Sequence, residues 1–550
     1  MKNIFLLLAL ASCSFSAKAQ TTGVYQHPNG NFEESWENNN EPGNHWTSFK
    51  NADGNLASTA NNVVHVYRNT TKVTGYGGTG SAVKIKSKQS WGKNANGNLT
   101  TGRISMGNKT PESSDNYNRS VTGNDKFSLL FAGKPDRVEF DAIFKSGGSK
   151  AGRGNFILHG DVDYKDPEVT EQASYKYGQA KVYVQDTDSK WIHVGGDFTY
   201  TAGMTRPNKV YLLASFTTNE TPGGSQNDEF TIDNVKFIYY NDLKTLTYGT
   251  GGDAQDLLAK AGKAVNNVVS IDASNLFYEK SKVAFKEKGQ GANITKETYD
   301  PTTCILTIKV EANDISVNAQ NYTIYNVQFK KPITISDDQD VITTEDDNAK
   351  VIMTRTFKKG WNTICLPFST TAEALGAAKV QKLTNCTNDL INFQSVEGGN
   401  MEWNTPYLIY FNEKKAFTSE NPFIFAGKVA ASNQSTGVTF SPITMRGNYK
   451  AKFYMKGYYG VVDQDGVQRI MSGGEGATLG PCRAYFIGDG KYLANGMLIS
   501  FDGQTTGITS AELNAEGAAE DAPIYNLQGV RVNHLTKGVY IKGGKKIIVK

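Results

Sequence analysis

RVEFDAIF, Arg137 to Phe144, sets polar against apolar residues through its first six positions. A period of two suits a strand with one face on a core, whereas a helix repeats every three to four residues. Working outward, SAVKIKS (Ser81 to Ser87), KVYVQD (Lys181 to Asp186), KVYLLASF (Lys209 to Phe216) and FTIDNVKFIYY (Phe230 to Tyr240) also read as strands. Gly, Asn, Asp and Pro fill the gaps, and no helical period competes between Thr22 and Tyr240. Short strands punctuated by turn residues predict an all-β sandwich or jelly roll.

The chain has 550 residues, too many for one ordinary domain at ~150 residues each. Hydrophobic residues make up 38% and aromatics 11%, which is enough apolar surface for folded cores and excludes a disordered chain. A formal net charge of +4 over this length points to neither nucleic acid nor a membrane surface.

Met1 to Gln20 has a charged start at Lys2, an apolar run from Ile4 to Ala11, and Ala17-Lys18-Ala19 before Gln20. Residues 1–19 therefore read as a cleavable export signal, and the run is far short of the ~20 residues of a membrane span. A second reading takes Leu10-Ala11-Ser12-Cys13 as a lipobox, with Cys13 as a lipid-bearing terminus. After the jelly roll of residues 22–241, residues 242–267 read as a linker with one short helix, Leu257, Leu258 and Ala261 sharing a face. Residues 268–331 suit a small immunoglobulin-like sandwich. Residues 332–504 form a further β-rich block, with a helix expected over Thr370 to Val380. Residues 505–521 are a polar spacer and 522–550 a compact terminal β unit.

Beyond Cys13 the cysteines are Cys304, Cys365, Cys386 and Cys482, with no C-x-x-C and no zinc-like histidine spacing. Export permits disulfides, and four cysteines allow three pairings, but large exported domains do not depend on such staples and buried free thiols are the favoured reading. No G-x-S-x-G, H-E-x-x-H, phosphate loop or complete EF-hand occurs. His27, His45, His65, His159, His193 and His534 are scattered and read as turn or surface residues. Gly249 to Ala254 matches a dinucleotide-binding glycine pattern, but that site needs a parallel βαβ unit, which these strands do not offer. The acidic turns at Asp161, Asp186 and Asp463 lack full calcium loops.

A sugar ring stacks its C–H face on an exposed aromatic. Trp36, Trp191, Trp361 and Trp403 stand in strand-like contexts and are expected in the core. Trp91, between KQS and GKNANGN, is the leading exposed platform, with Tyr76 in YGGTG as a second.

NGNFEESW (Asn29 to Trp36), GTGSAVKIKS (Gly78 to Ser87), LTTGRISMG (Leu99 to Gly107), FAGKPDRVEFD (Phe131 to Asp141) and FTIDNVKFIY (Phe230 to Tyr239) resemble the carbohydrate-metabolism domain family of exported Bacteroidetes proteins. The family's name records a suspicion, and the resemblance implies a jelly roll similar to carbohydrate-binding modules. Such modules often open on G-x-F-E and close on I-D-x-V, places that meet in the fold and hold a structural calcium. Gly30 to Glu33 and Ile232 to Val235 match, so the resemblance implies Glu33 and Asp233 as metal ligands, although Asn234 stands where a second Asp is common. RTFKKGWNTICLPF, NTPYLIY, SPITMRGNY and PCRAYF resemble a module of secreted Bacteroidetes proteins with no known chemistry. Ile524 to Lys550 resembles the sorting domain recognised by type IX secretion, which favours cleavage after Ala19 over lipidation. Together these imply an exported surface or released protein with a non-catalytic glycan-binding jelly roll. The alternative is an adhesion protein without a sugar site that contacts a host or cell-surface polymer. A hydrolase built on two carboxylates is the third reading.

Overall fold

The computed structural model describes residues 28–220, 223–313, 321–387, 390–434, 437–464, 467–488, 497–505, 523–526, 531–532, 535–536, 538–542 and 545–549. The export signal, Cys13, His27, His534 and nearly all of the 505–521 spacer lie outside them. The chain divides into two units, Met1–Lys331 and Pro332–Lys550. Among the described residues no helix is long and apolar enough to cross a membrane.

The first unit opens with β1 (Thr70–Thr74), β2 (Ser81–Lys86), β3 (Lys88–Ser90), β4 (Lys93–Ala95), β5 (Asn98–Thr100), β6 (Arg103–Met106) and β7 (Asn116–Arg119). It continues with β8 (Arg137–Lys145), β9 (Gly152–His159), β10 (Lys165–Asp166), β11 (Lys176–Val184), β12 (Ile192–Asp197), β13 (Thr199–Tyr200), β14 (Tyr211–Thr217) and β15 (Glu229–Ile238). Two five-stranded antiparallel sheets, ordered β1-β2-β15-β8-β12 and β13-β11-β9-β14-β5, make the sandwich.

The alternation in Arg137 to Phe144 now has its cause. Val138, Phe140, Ala142 and Phe144 turn inward to meet Phe156 and Leu158 of β9, Phe216 of β14 and Phe230 of β15. The rings pack edge to face, Phe140 on Phe216 at 5.1 Å and 81°, the geometry in which aromatic quadrupoles attract. The outer face of the second sheet is partly covered by a small third sheet, β10-β7-β6, with Ile157, Tyr164 and Leu213 buried as a separate cluster.

Several expectations need correction. Residues 242–267 are neither a linker nor helical: Leu243–Tyr248 is a strand paired with Val283–Glu287, and Leu258–Lys260 is a single tight 3-10 turn. The Leu257, Leu258 and Ala261 spacing mimics a helix, but only Leu257 is fully buried, against a β core. The second sandwich thus starts at Leu243 and packs this three-stranded sheet with the four-stranded sheet of Val268–Ala273, Tyr322–Phe329, Ile305–Glu311 and Asn293–Asp300. No helix forms over Thr370 to Val380, where Ala372 and Leu375 reach the core from turns between strands Thr370–Thr371 and Lys379–Cys386.

Trp403 is exposed rather than core, and Trp36, Trp191 and Trp361 are only half-buried. His159 is no surface residue. It lies fully buried between Tyr164 and Tyr211, its ring nitrogens 2.7 Å from Ser120 Oγ and 2.8 Å from the Gly160 carbonyl. Burial pulls its pKa down to about 4, so the ring is neutral.

The second unit is built on a wide mixed sheet running from Gly360–Ile364 through Tyr407–Phe411 and Lys379–Cys386 to Val438–Phe440, with two hydrophobic clusters. At its end Ile524–Asn526, Gly538–Lys542 and Lys545–Val549 form an antiparallel three-stranded sheet.

Candidate functional site

Trp91 and Gly92 are the two turn residues of the β3–β4 hairpin, in which Ser90 pairs with Lys93. Both have positive φ, 53° and 71°, as a primed two-residue turn demands. Asn-Gly is the favoured occupant; a bulky side chain in the left-handed region is costly and is retained where it serves a site. Trp91 is 46% exposed, so packing does not explain it.

The ring borders a cavity of about 320 Å³, at the small end of the ~300–1,000 Å³ typical of small-molecule sites. Its lining combines apolar side chains, from Phe49, Leu56, Val66, Ile104 and Met106, with polar ones, from Asn98, Asn118, Arg153 and Asp166. Asn98 and Asn118 exchange amide hydrogen bonds of 2.8 and 3.1 Å. Arg153 Nη2 donates to Asp166 Oδ2 at 2.8 Å, while its buried Nε has no hydrogen-bond partner among the described residues. A lining that mixes apolar side chains with amide and guanidinium groups suits a ring with one C–H face and a hydroxyl edge.

Strand register extends the site sideways. Tyr183 pairs with Arg153, Arg153 with Thr217, and Thr217 with Asn98, so these four stand in one row on the outer face of the second sheet. Three interstrand steps of ~4.8 Å make the row about 14 Å long. Tyr183 is 50% exposed. It was missed in the sequence reading, although the alternation in KVYVQD sets it opposite Val182 and Val184; only the tertiary fold tells which face is outer.

Tyr76 does not join Trp91. It lies at the first sheet, edge-on to Trp191 at 5.8 Å, beside Glu33 and Asp233. Asp233 Oδ2 accepts from Tyr76 N–H at 2.8 Å and Glu33 Oε1 from Ser81 N–H at 2.8 Å, so the two carboxylates hold the two ends of the 75–81 turn. Gly80 sits at φ 66°, in the left-handed region, and a Cβ there would fall 2.0 Å from Glu33 Oε1 and push that carboxylate off the turn. The G-x-F-E and I-D-x-V segments do meet, through Val235 N–H on the Gly30 carbonyl at 2.8 Å. Asp233 lies opposite Asp141, which in turn contacts Asn234 Nδ2 and His193 Nδ1. Burial, then the charges of Asp141 and Glu33, push the Asp233 carboxyl up to about 6. Among the described residues no three His, Cys, Asp or Glu side chains are grouped to hold a metal.

No family model matches the chain, and no curated protein matches it. Solved structures do. A Bacteroides thetaiotaomicron protein described as a provisional glycoside hydrolase is 16% identical, with a TM-score of 0.31 over 41% of this chain and 73% of that one. A family 11 carbohydrate-binding module of a Clostridium thermocellum cellulosomal cellulase is 12% identical, with a TM-score of 0.16 over 31% and 79%. A provisional sugar-binding protein from Bacteroides thetaiotaomicron is 14% identical, with a TM-score of 0.18 over 40% and 94%. The structural neighbours are thus carbohydrate-binding modules and sugar-handling proteins; at these scores they carry no argument about the site.

Proposed function

We propose that the first unit binds a glycan, without cleaving it, in the cavity bordered by Trp91 and along the row that ends at Tyr183. The observation that carries this reading is the cavity itself: an exposed tryptophan at a strained turn, beside a lining that combines apolar side chains with the Asn98 and Asn118 amides and the Arg153–Asp166 pair. Asp166 is engaged by Arg153, which suits a binding wall rather than a general acid. A flat or fully packed outer face would have favoured the adhesion reading; the cavity favours the sugar.

The test is a glycan array with the full chain and its Trp91→Ala variant, read alongside release of reducing ends. Binding of one glycan class, weakened in the variant and with no bond cleavage, supports the reading. Equal binding by the variant removes the Trp91 platform, absence of binding favours adhesion, and released sugar makes the protein a hydrolase.

Calcium at Glu33 and Asp233 is a second proposal. It is supported by the raised Asp233 carboxyl beside two other acidic groups, with no basic side chain paired to it among the described residues. Carboxylate oxygens are the hard donors calcium prefers, yet two carboxylates fall short of its ~6–8 oxygens, so backbone carbonyls and water would complete the shell. Its part would be structural, holding the 75–81 turn. Export, by a signal over residues 1–19 and type IX machinery acting on the small terminal sheet, completes the proposal. Secretion assays with residues 522–550 deleted test that step.

A further inference from the structure

Four segments of the second unit that suggested no chemistry in sequence meet at one buried node. Arg355, of RTFKKGWNTICLPF, donates from Nη1 to the Cys482 carbonyl at 2.6 Å and from Nη2 to the Thr363 carbonyl at 2.9 Å. Cys365, from the same segment, donates its backbone N–H to that Cys482 carbonyl at 3.2 Å. Tyr449, of SPITMRGNY, donates to Asn404 Oδ1 of NTPYLIY at 2.7 Å and lies 3.6 Å from Cys365 Sγ. Cys482, of PCRAYF, is held at φ 55°, and its side chain shares one hydrophobic cluster with Cys365 and Tyr449. Arg355, Cys365, Asn404, Tyr449 and Cys482 are all buried.

We propose that Cys365 and Cys482 are a disulfide site, closed when the protein folds under oxidising conditions. The single N–H···O=C bond of 3.2 Å between them holds the two Cα atoms within about 7 Å of each other, close to the ~4.4–6.8 Å that a disulfide spans. Both side chains enter the same core. The other cysteines do not compete: Cys304 lies in the first unit against the Pro301 carbonyl, and Cys386 Sγ faces the Thr387 carbonyl in a different cluster. All four cysteines are free, buried thiols in the structure, and of the pairings open in sequence this is the one whose members share a backbone hydrogen bond and a core.

The chemistry is thiol–disulfide exchange with an external disulfide of the oxidised-glutathione class. One cysteine thiolate attacks that disulfide, forming a mixed disulfide and releasing one external thiolate. The second cysteine thiolate then displaces the other external thiol. One S–S bond forms in the protein, one breaks in the oxidant, and the protons of the two cysteines pass to the departing thiolates. Both sulfurs are fully buried in the finished fold, so the exchange belongs to folding, before the core closes, and the bond is afterwards shielded from reductant. It closes a loop of more than 100 residues, where a cross-link restricts the unfolded chain most.

The experiment refolds the full chain with oxidised and reduced glutathione, alkylates under denaturing conditions, and maps peptides by mass spectrometry. The expected result is a peptide pair joined through Cys365 and Cys482, two hydrogens lighter than the reduced pair, with Cys304 and Cys386 alkylated. The oxidised protein should also melt higher than the reduced one, by on the order of 10 °C, and Cys365→Ala/Cys482→Ala should abolish that difference. Four alkylated cysteines after oxidative refolding, or a link through Cys304 or Cys386, overturns the proposal.

Discussion

Tyr183 stands directly across from Arg153 in the β11–β9 pair, so an exposed ring and the cavity's guanidinium share one face of the second sheet. Directly opposed residues have Cβ atoms about 5 Å apart. A ligand seated on Arg153 therefore reaches Tyr183 without leaving the sheet. Trp91 borders the cavity itself, while Tyr183 stands beside it, one strand over from Arg153.

Each aromatic is expected to contribute separately. Removing one stacked ring costs about 1–1.5 kcal/mol, or roughly tenfold in affinity. Trp91→Ala and Tyr183→Ala should each weaken binding of a glycan found on the array by that factor, with unfolding curves unchanged because both rings are about half exposed. Titration calorimetry on the full chain checks it; a variant that binds like wild type excludes its ring from the site.

The Arg153–Asp166 pair is expected to matter for folding as well as binding. Their side chains are 15% and 4% exposed, and breaking a buried pair leaves an uncompensated charge costing about 3 kcal/mol. Asp166→Asn should lower the urea midpoint of the first unit accordingly. Arg153→Met/Asp166→Leu should recover much of the loss in stability while leaving glycan binding abolished.

Asp233 imposes a pH signature. Its folded carboxyl sits at about 6, against ~3.9 in an unfolded chain. The folded state therefore holds the extra proton between those values, and the group's contribution to stability falls as pH rises from about 4 to 6, then levels off. For this buried group the two values set the effect at about 3 kcal/mol. Asp233→Asn should flatten the trend. If calcium occupies the site, added calcium at pH 7 raises Tm and a chelator lowers it in wild type but not in this variant; a Tm indifferent to both removes the metal.

His159 works in the opposite direction. Burial holds its folded pKa at about 4 while an unfolded histidine titrates near ~6.5, so the unfolded chain binds the proton first and stability is lost as pH falls from about 6.5 to 4. The full loss is about 3 kcal/mol. His159→Phe, which keeps the stack between Tyr164 and Tyr211, should lower Tm at pH 7 by unpairing Ser120 Oγ but remove the acid sensitivity over that window.

Much of the fold was legible because strand alternation is local. Arg137 to Phe144 and Lys181 to Asp186 declared their inward residues within six or eight positions. The reading failed where a helical spacing occurred by chance, at Leu257 to Ala261 and at Ala372 to Leu375. There the decisive partner was a strand or turn elsewhere in the chain, and tertiary pairing outweighed the short pattern. Trp91 was legible from its polar flanks. Tyr183 and Arg153 were not, because either face of β11 and β9 could have met the core.

By itself the sequence determined an all-β chain, the inward set of its longer strands, and Trp91 as an exposed aromatic between polar flanks. The tertiary structure alone decided that Trp91 borders a cavity while Tyr76 guards a different turn, that Asp233 faces Asp141, and that Cys365 meets Cys482. Alternation is written between adjacent residues, but these meetings join positions up to 117 apart. They depend on strand order and register, which the apolar burial of the whole core selects at once.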